Sequence, residues 1–184
     1  LSFGEIPTRG RMRQLRYLTK LDRQIIYGIV LPGPHVDDGV PIVKGGNCEP
    51  GRLRLEVMSR THPDIEARYV RSRLATGDIV YAIRGSIGQA DQVPAELEGA
   101  NLTQDAARIS PREGVDHRWL LHAVRSSAFF ANMDAFATGA TIRGINIWDL
   151  KRAPICLPPQ SEQEEIASHL DRSMTRLNGI SENG

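Results

Sequence analysis

The sequence predicts a mixed α/β (α+β) domain followed by the start of a long C-terminal helix. Two observations lead to this prediction. Between residues 24 and 159, short apolar stretches punctuated by glycine and proline, typical of strands, are interspersed with stretches typical of short helices. After residue 159 the chain becomes charged, with apolar residues at helical spacing. We therefore divide the chain into a domain at residues 1–159 and a helical segment at residues 160–184.

The composition is that of an ordinary globular chain. Of the 184 residues, 40% are hydrophobic and 24% are charged, so disorder and fibre-forming repeats are not expected. No apolar run approaches the roughly 20 residues that cross a bilayer, so no membrane contact is expected. Two cysteines give neither a disulfide framework nor a metal cluster. These observations favour a cytoplasmic protein.

Positive charge is concentrated in the first half of the chain. Residues 1–90 hold 14 basic and 9 acidic side chains, whereas residues 91–184 hold 9 basic and 13 acidic ones. Only Lys20, Lys44 and Lys151 among the 23 basic residues are lysine. Arginine suits bidentate contacts with phosphates and guanine edges, although a GC-rich genome would also produce this bias.

Four elements are predicted in the first half of the domain. Apolar stretches at residues 24–34 and 40–46, and an alternating stretch at residues 53–57, predict strands. Residues 61–70 predict a short helix, because Thr61 or His62 is able to cap it and Pro63 fits its first turn.

The second half begins with the most strand-like passage, GDIVYAIRGSIGQADQV at residues 77–93. Its continuous apolar run predicts a strand covered on both faces, and Gly85 and Gly88 predict a tight turn after it. Residues 105–110 predict a further strand. Two helices should follow, one capped by Asp116 and one closed by Gly139. A glycine-rich loop, a helical turn capped by Asn146 and a last strand at residues 153–159 complete the domain.

The C-terminal segment predicts a helix that packs against a partner helix. Ser161 and Glu164 fit a capping box. Ile166, Leu170 and Leu177, with Ile180, form an apolar stripe like that of a coiled coil, so we expect them to form a subunit interface. The alternative is that this stripe packs on its own domain.

Reactive groups of the common enzyme classes are missing. The sequence lacks the acid–lysine pattern of a metal-dependent nuclease, a phosphate-binding G-K-[ST] loop, a G-x-S-x-G elbow and a nucleotide-binding glycine fingerprint. His117 and His122 are five residues apart, which does not place two metal ligands together on a helix. The pattern favours binding over catalysis. The alternatives are a small nuclease or methyltransferase part, and a protein-interaction module that does not contact DNA.

Three stretches together resemble the specificity subunit of type I restriction–modification systems. They are GDIVYAIRGSIG, ATGATIRGINIWDLKRAPICLPP and LPPQSEQEEIASHLD, at residues 77–88, 137–159 and 157–171. The resemblance implies a DNA target-recognition domain with a curved, barrel-like sheet. It also implies a long helix that pairs with another as a coiled-coil ruler between two half-sites.

Such a subunit has no catalysis and no cofactor of its own. The resemblance implies modification subunits that methylate adenine with S-adenosylmethionine as partners. It also implies a restriction and translocase subunit that uses ATP and magnesium. One recognition domain is present here, which fits a fragment or a half-subunit that self-associates through the helix. Recognition domains fused to adenine methyltransferases are similar and remain an alternative.

The glycine-framed loops supply the candidate DNA-binding residues, and each candidate has a structural alternative. Arg84 reads DNA or bonds loop carbonyls, Ser86 contacts DNA or stabilises its turn, and Asn146 contacts DNA or only caps a helix. Thr141 and Arg143 have little structural role in an exposed loop. Lys44, beside Gly45 and Gly46, binds DNA or is a solvated charge.

Overall fold

The structure is a computed structural model that describes residues 10–136 and 144–181, the last five by their backbone alone. The strands are β1 Arg11–Gln14, β2 Ile26–Tyr27, β3 Val40–Val43, β4 Ser59–Thr61, β5 Ile79–Ala82, β6 Ala90–Gln92, β7 Asn101–Leu102, β8 Ala106–Ile109 and β9 Pro154–Leu157. The α-helices are α1 Pro63–Glu66, α2 His117–Arg125, α3 Ser127–Phe136, α4 Ile147–Arg152 and α5 Gln160–Ser181. Short 3-10 turns occupy Leu15–Leu18, Gly45–Cys48, Leu55–Val57, Ala67–Ser72 and Ala95–Leu97.

The described strands form three small sheets. Their orders are β2-β8-β5-β6, β4-β3-β7 and β1-β9. The mixed α/β class is thus confirmed, but the expected barrel-like sheet is not closed. Strands of two to four residues that run into 3-10 turns leave the edges of the central sheet unpaired, and closure needs a continuous hydrogen-bonded ladder.

Strand β5 lies at the centre of the core. All four of its residues are buried between β6 and β8. Ile79 and Tyr81 face a cluster that includes α2 and α3, whereas Val80 and Ala82 face a second cluster beside β3 and β7. The alternation of strand side chains therefore covers both faces, as the apolar run predicts.

Several local predictions are confirmed and others are wrong. His62 caps α1 by accepting a hydrogen bond from the Asp64 amide (3.2 Å), and Asp116 caps α2. The strand predicted at residues 53–57 is wrong, because Leu55–Val57 is a 3-10 turn whose first amide donates to the Glu96 carboxylate (3.1 Å). The basic N-terminal stretch contains a strand that the sequence did not predict, β1, which pairs antiparallel with β9.

A buried arginine ties two segments to the central sheet. Arg108 on β8 is 2% exposed, and its guanidinium donates hydrogen bonds to the carbonyls of Arg71, Arg73 and Gln24. Burial is the main cause that lowers the pKa of Arg108, to about 10, so the side chain stays charged at neutral pH. These bonds satisfy carbonyl groups of segments that lie outside the strands and are not paired with a neighbouring strand there.

Helix α5 is joined to the domain by a buried glutamine. Gln163 is 2% exposed; its Oε1 accepts from the Asp116 amide (2.8 Å) and its Nε2 donates to the Pro158 carbonyl (3.0 Å). The predicted capping box at Ser161 is wrong, because the helix begins one residue earlier and the Pro159 carbonyl accepts from the Gln163 amide (3.1 Å). The first turn of α5 is instead held by the hydrogen bonds of Gln163 to the domain.

The next turns of α5 continue along α2. Ala167 is fully buried in the main core. Further along, the Asp171 carboxylate contacts His122 Nε2 (2.7 Å) and accepts from Arg118 Nη1 (3.2 Å). The start of α5 therefore packs on its own domain, and the division at residue 159 stays a prediction.

We predict that Gln163→Ala lowers the free energy of unfolding by about 1–3 kcal/mol, because it leaves the half-buried Asp116 amide without its partner. The exposed neighbour Glu164 supplies the control, and Glu164→Ala should change stability by less than about 0.5 kcal/mol. Urea denaturation followed by circular dichroism measures both. Equal stability of the two variants would contradict the role given to Gln163.

Candidate functional site

The candidate site is built where β5 leaves the buried sheet. The amides of Ile83 and Arg84 both donate to the carbonyl of Asp105, at 2.9 and 3.2 Å. On the other side, the Ile145 amide donates to the Ile83 carbonyl (2.8 Å), and Arg84 forms an antiparallel bridge with Gly144. The backbone of Arg84 is therefore held between two chain segments.

A third segment approaches Arg84 at Gly45. A Cβ atom at this position would lie 2.8 Å from the Arg84 carbonyl oxygen, so the close approach requires glycine. The neighbouring Lys44 is fixed by its backbone, since its amide donates to Asn47 Oδ1 (2.9 Å). Its side chain is exposed and forms no ion pair with any described residue.

These segments enclose a groove with a volume of about 320 Å³. Its lining combines aromatic, aliphatic and amide side chains with one arginine: Tyr27, Ile83, Arg84, Gln104, Ile145, Asn146, Ile147 and Trp148. Among these described lining residues there is no carboxylate, and Arg84 is the only one with a full charge. Such a surface suits a ligand that presents flat polar edges and negative charge.

The Arg84 side chain is exposed at the groove. Its guanidinium makes no hydrogen bond or ion pair with the described part of the chain. The alternative, in which Arg84 bonds loop carbonyls, therefore finds no support among these residues. Its backbone is fixed while its five N–H donors remain available.

Helix α4 forms one rim of the groove. Asn146 Oδ1 accepts from the Trp148 amide (2.9 Å), so Asn146 does cap this helix while its side chain remains exposed. The Trp148 side chain is 60% exposed, and Lys151 Nζ lies 5.1 Å from the centroid of its ring. Lys151 makes no ion pair with a described carboxylate, whereas Arg152 is paired with Asp149 (3.1 Å).

The glycine hairpin after Arg84 flanks the groove. Gly85 and Gly88 have φ of 69° and 90°, which confirms the predicted turn. The Ser86 carbonyl accepts from the Gln89 amide (3.1 Å), whereas the hydroxyl of Ser86 has no partner among the described residues. The turn thus depends on the backbone of Ser86 and leaves its side chain available.

The structure brings four of the six predicted DNA-binding residues together. Arg84 and Asn146 line the groove, and Lys44 and Ser86 lie on the loops beside it. Thr141 and Arg143 lie outside the described residues. For all six, contact with DNA stays a prediction.

Beside three isoleucines, the sequence reasoning missed three groove residues with aromatic or amide side chains. Trp148 had a usable signal, since it lies two residues after the predicted cap and in the exposed first turn of a short helix. Tyr27 and Gln104 had none. They reach the groove only because β2 pairs with β8 and the Gln104 amide donates to the Ile29 carbonyl (3.0 Å).

The predicted interface residues on α5 are placed only in part. Ile166 is half-buried and packs against the main core of its own domain, and Leu170 is half-buried. The side chain of Leu177 lies outside the described residues. Their role in a subunit interface therefore stays a prediction.

The described residues hold neither a cluster of metal ligands nor a helix that could span a membrane. Within the described ranges, no three histidine, cysteine or acidic side chains are grouped so that they could hold a metal ion. No described helix is both long and apolar enough to span a bilayer.

Comparison with known proteins decides the family. The sequence model of the family described as type I restriction modification DNA specificity domain matches residues 38–183. The chain belongs to this family. The specificity domain is 27% identical, over 95% of its length, to the type I restriction enzyme EcoBI specificity subunit of Escherichia coli, of which it covers 37%.

Solved structures show the same fold. The specificity domain matches the HsdS subunit from Thermoanaerobacter tengcongensis with a TM-score of 0.71 and 18% identity, over 100% of this chain and 42% of that one. It matches the type I restriction–modification S subunit from M. genitalium with a TM-score of 0.61 and 19% identity, over 99% and 43% of the two chains. The specificity domain thus spans about two fifths of the length of these relatives.

We predict that Gly45→Ala disturbs the groove, because the added methyl group would displace the Arg84 backbone. The expected loss of stability is about 1–3 kcal/mol. Gly46→Ala is the control, since a Cβ atom at Gly46 meets nothing within 4 Å. Thermal unfolding of the two variants measures the effect. A melting temperature of Gly45→Ala equal to that of Gly46→Ala would show that the approach to Arg84 is not close.

Proposed function

We propose that this chain is a target-recognition domain of a type I specificity subunit and binds double-stranded DNA in a sequence-specific way. The observation that carries the proposal is the exposed guanidinium of Arg84, which has no partner among the described residues. Its backbone is held by two segments and closely approached by a third. Membership of the DNA specificity domain family supports the same conclusion. A fixed backbone with free donors binds a ligand edge with little loss of conformational entropy.

The chemistry of the groove fits a duplex. Arginine pairs bidentately with the O6 and N7 atoms of guanine in the major groove, or with phosphate. Lys151 lies over the Trp148 ring and has no carboxylate partner among the described residues, so it suits a phosphate contact that fixes the register of the DNA. Lys44 and Ser86 flank the groove, and Thr141 and Arg143 precede Gly144, which bridges to Arg84. We include all four in the proposed interface.

The proposed subunit directs other proteins to the DNA and performs no reaction itself. We propose that modification subunits and a restriction and translocase subunit are its partners. S-adenosylmethionine, ATP and magnesium would be used by those partners. The family membership supports this assignment. A cytoplasmic location agrees with Cys48 and Cys156, which are both free thiols.

We predict that Arg84→Ala weakens specific DNA binding by about 1–3 kcal/mol if Arg84 reads a base. Duplexes selected from a random library by the purified chain supply the ligand, and fluorescence anisotropy measures affinity over a range of salt concentrations. Lys151→Ala should instead weaken binding to all sequences and reduce the salt slope by about one unit.

Arg152→Ala is the matched control, because this arginine is already paired with Asp149. It should leave affinity within about 0.5 kcal/mol of the parent chain. Binding by Arg84→Ala that equals that of the parent, with intact folding, would remove this groove from the interface.

The exposed side of α5 is the proposed subunit seam. Leu170 is half-buried in the turns that pack on α2, and Met174, one turn further along, is 42% exposed. An isolated helix of about 20 residues is marginal in water, so a coiled-coil partner would stabilise the rest of α5. The proposed partner is the ruler helix of a second recognition domain, or the same helix of another copy.

We predict that Leu170→Ser with Leu177→Ser abolishes this association and leaves the domain folded. The double variant Glu165→Ala with His169→Ala is the control, since both of its positions are exposed. Size-exclusion chromatography with light scattering measures assembly, and circular dichroism measures folding. If the leucine variant assembles as well as the control, α5 is a domain-packing helix only.

A further inference from the structure

We propose that Gln104 reads a base next to the one that Arg84 reads, and that it selects adenine. The inference rests on the proposed function. It goes further, because it assigns a base preference to a residue that neither the sequence pattern nor the family membership singles out.

The backbone of Gln104 is held as firmly as that of Arg84. The Gln104 amide donates to the Ile29 carbonyl (3.0 Å), and the preceding Thr103 amide donates to the Val43 carbonyl (2.9 Å). The following residue, Asp105, accepts the Arg84 amide (3.2 Å). Gln104 is thus one peptide unit away from the contact that fixes Arg84, and both side chains line the same groove.

The two amide side chains of the groove differ in the hydrogen bonds that they already make. Asn146 Oδ1 is occupied by the Trp148 amide, because Asn146 caps α4. The carboxamide of Gln104 makes no hydrogen bond with the described residues, so its donor and its acceptor are both available. A bidentate contact with a base needs both, and Gln104 keeps both.

Base chemistry then assigns the preference. A glutamine carboxamide accepts from adenine N6 and donates to N7, whereas an arginine donates twice to guanine. Successive bases of one strand are spaced about 3.4 Å apart along the duplex axis. The two residues are linked through a single backbone hydrogen bond and line the same groove, so the proposal assigns them to neighbouring base pairs. Asp105 accepts the hydrogen bond of the Arg84 amide with its backbone carbonyl and not with its carboxylate.

Selection of duplexes from a random library tests the proposal. The parent chain should select adenine at one position next to a position that depends on Arg84. Gln104→Ala should reduce the preference at that position by roughly 5- to 150-fold and leave the others unchanged. Gln104→Glu should shift the preference toward cytosine, because a carboxylate accepts from cytosine N4.

Gln24→Ala is the control, since Gln24 is exposed and lies outside the groove lining. Melting temperatures verify that each variant is folded. If both Gln104 variants select the parent sequence with parent ratios, or lose affinity equally for all sequences, Gln104 does not read a base, and the proposed function stands. If the parent chain binds no duplex in preference to others, the proposed function fails and this inference fails with it.

Discussion

The carbonyl of Asp105 holds the candidate site together. It accepts hydrogen bonds from the amides of both Ile83 and Arg84, at the point where β5 stops being a strand. The pairing of β5 with β8 brings this carbonyl into place, since Ala82 lies opposite Ala106 in the ladder. The groove, the exposure of Arg84 and the position of Gln104 all follow from this contact. A rigid strand pair therefore positions the side chains that we propose read DNA.

Long polar side chains connect the central sheet and the helices to the segments around them. Arg108 donates to carbonyls of strandless segments, Gln163 joins α5 to the N-terminus of α2, and Arg125 donates to the Ala90 carbonyl (2.8 Å). Strands of two to four residues supply few backbone hydrogen bonds between elements, and these side chains supply such bonds instead. A closed sheet is not needed when buried donors satisfy the same carbonyls. Replacing any of these residues therefore lowers stability, because it leaves a backbone group without its hydrogen-bond partner.

The sequence predicted the elements whose signals are local, and it missed those that depend on pairing. The apolar run of β5, the Asp116 and Asn146 caps and the Gly85 turn are encoded in adjacent residues, and the structure has them. The strand β1 has no such signal, because its pairing with β9 joins residues at least 140 positions apart. Tyr27 and Gln104 were missed in the site for the same reason: only tertiary contacts bring them beside Arg84.

Photocrosslinking from defined positions tests the central claim, that the groove around Arg84 faces DNA, most directly. A benzophenone amino acid would replace Trp148 at the groove rim, or Leu21, which is 90% exposed and outside the groove lining. With a duplex selected by the chain, the account predicts strong crosslinking from position 148 and little from position 21. Crosslinking that is equal from both positions, or that comes from position 21 alone, would contradict it.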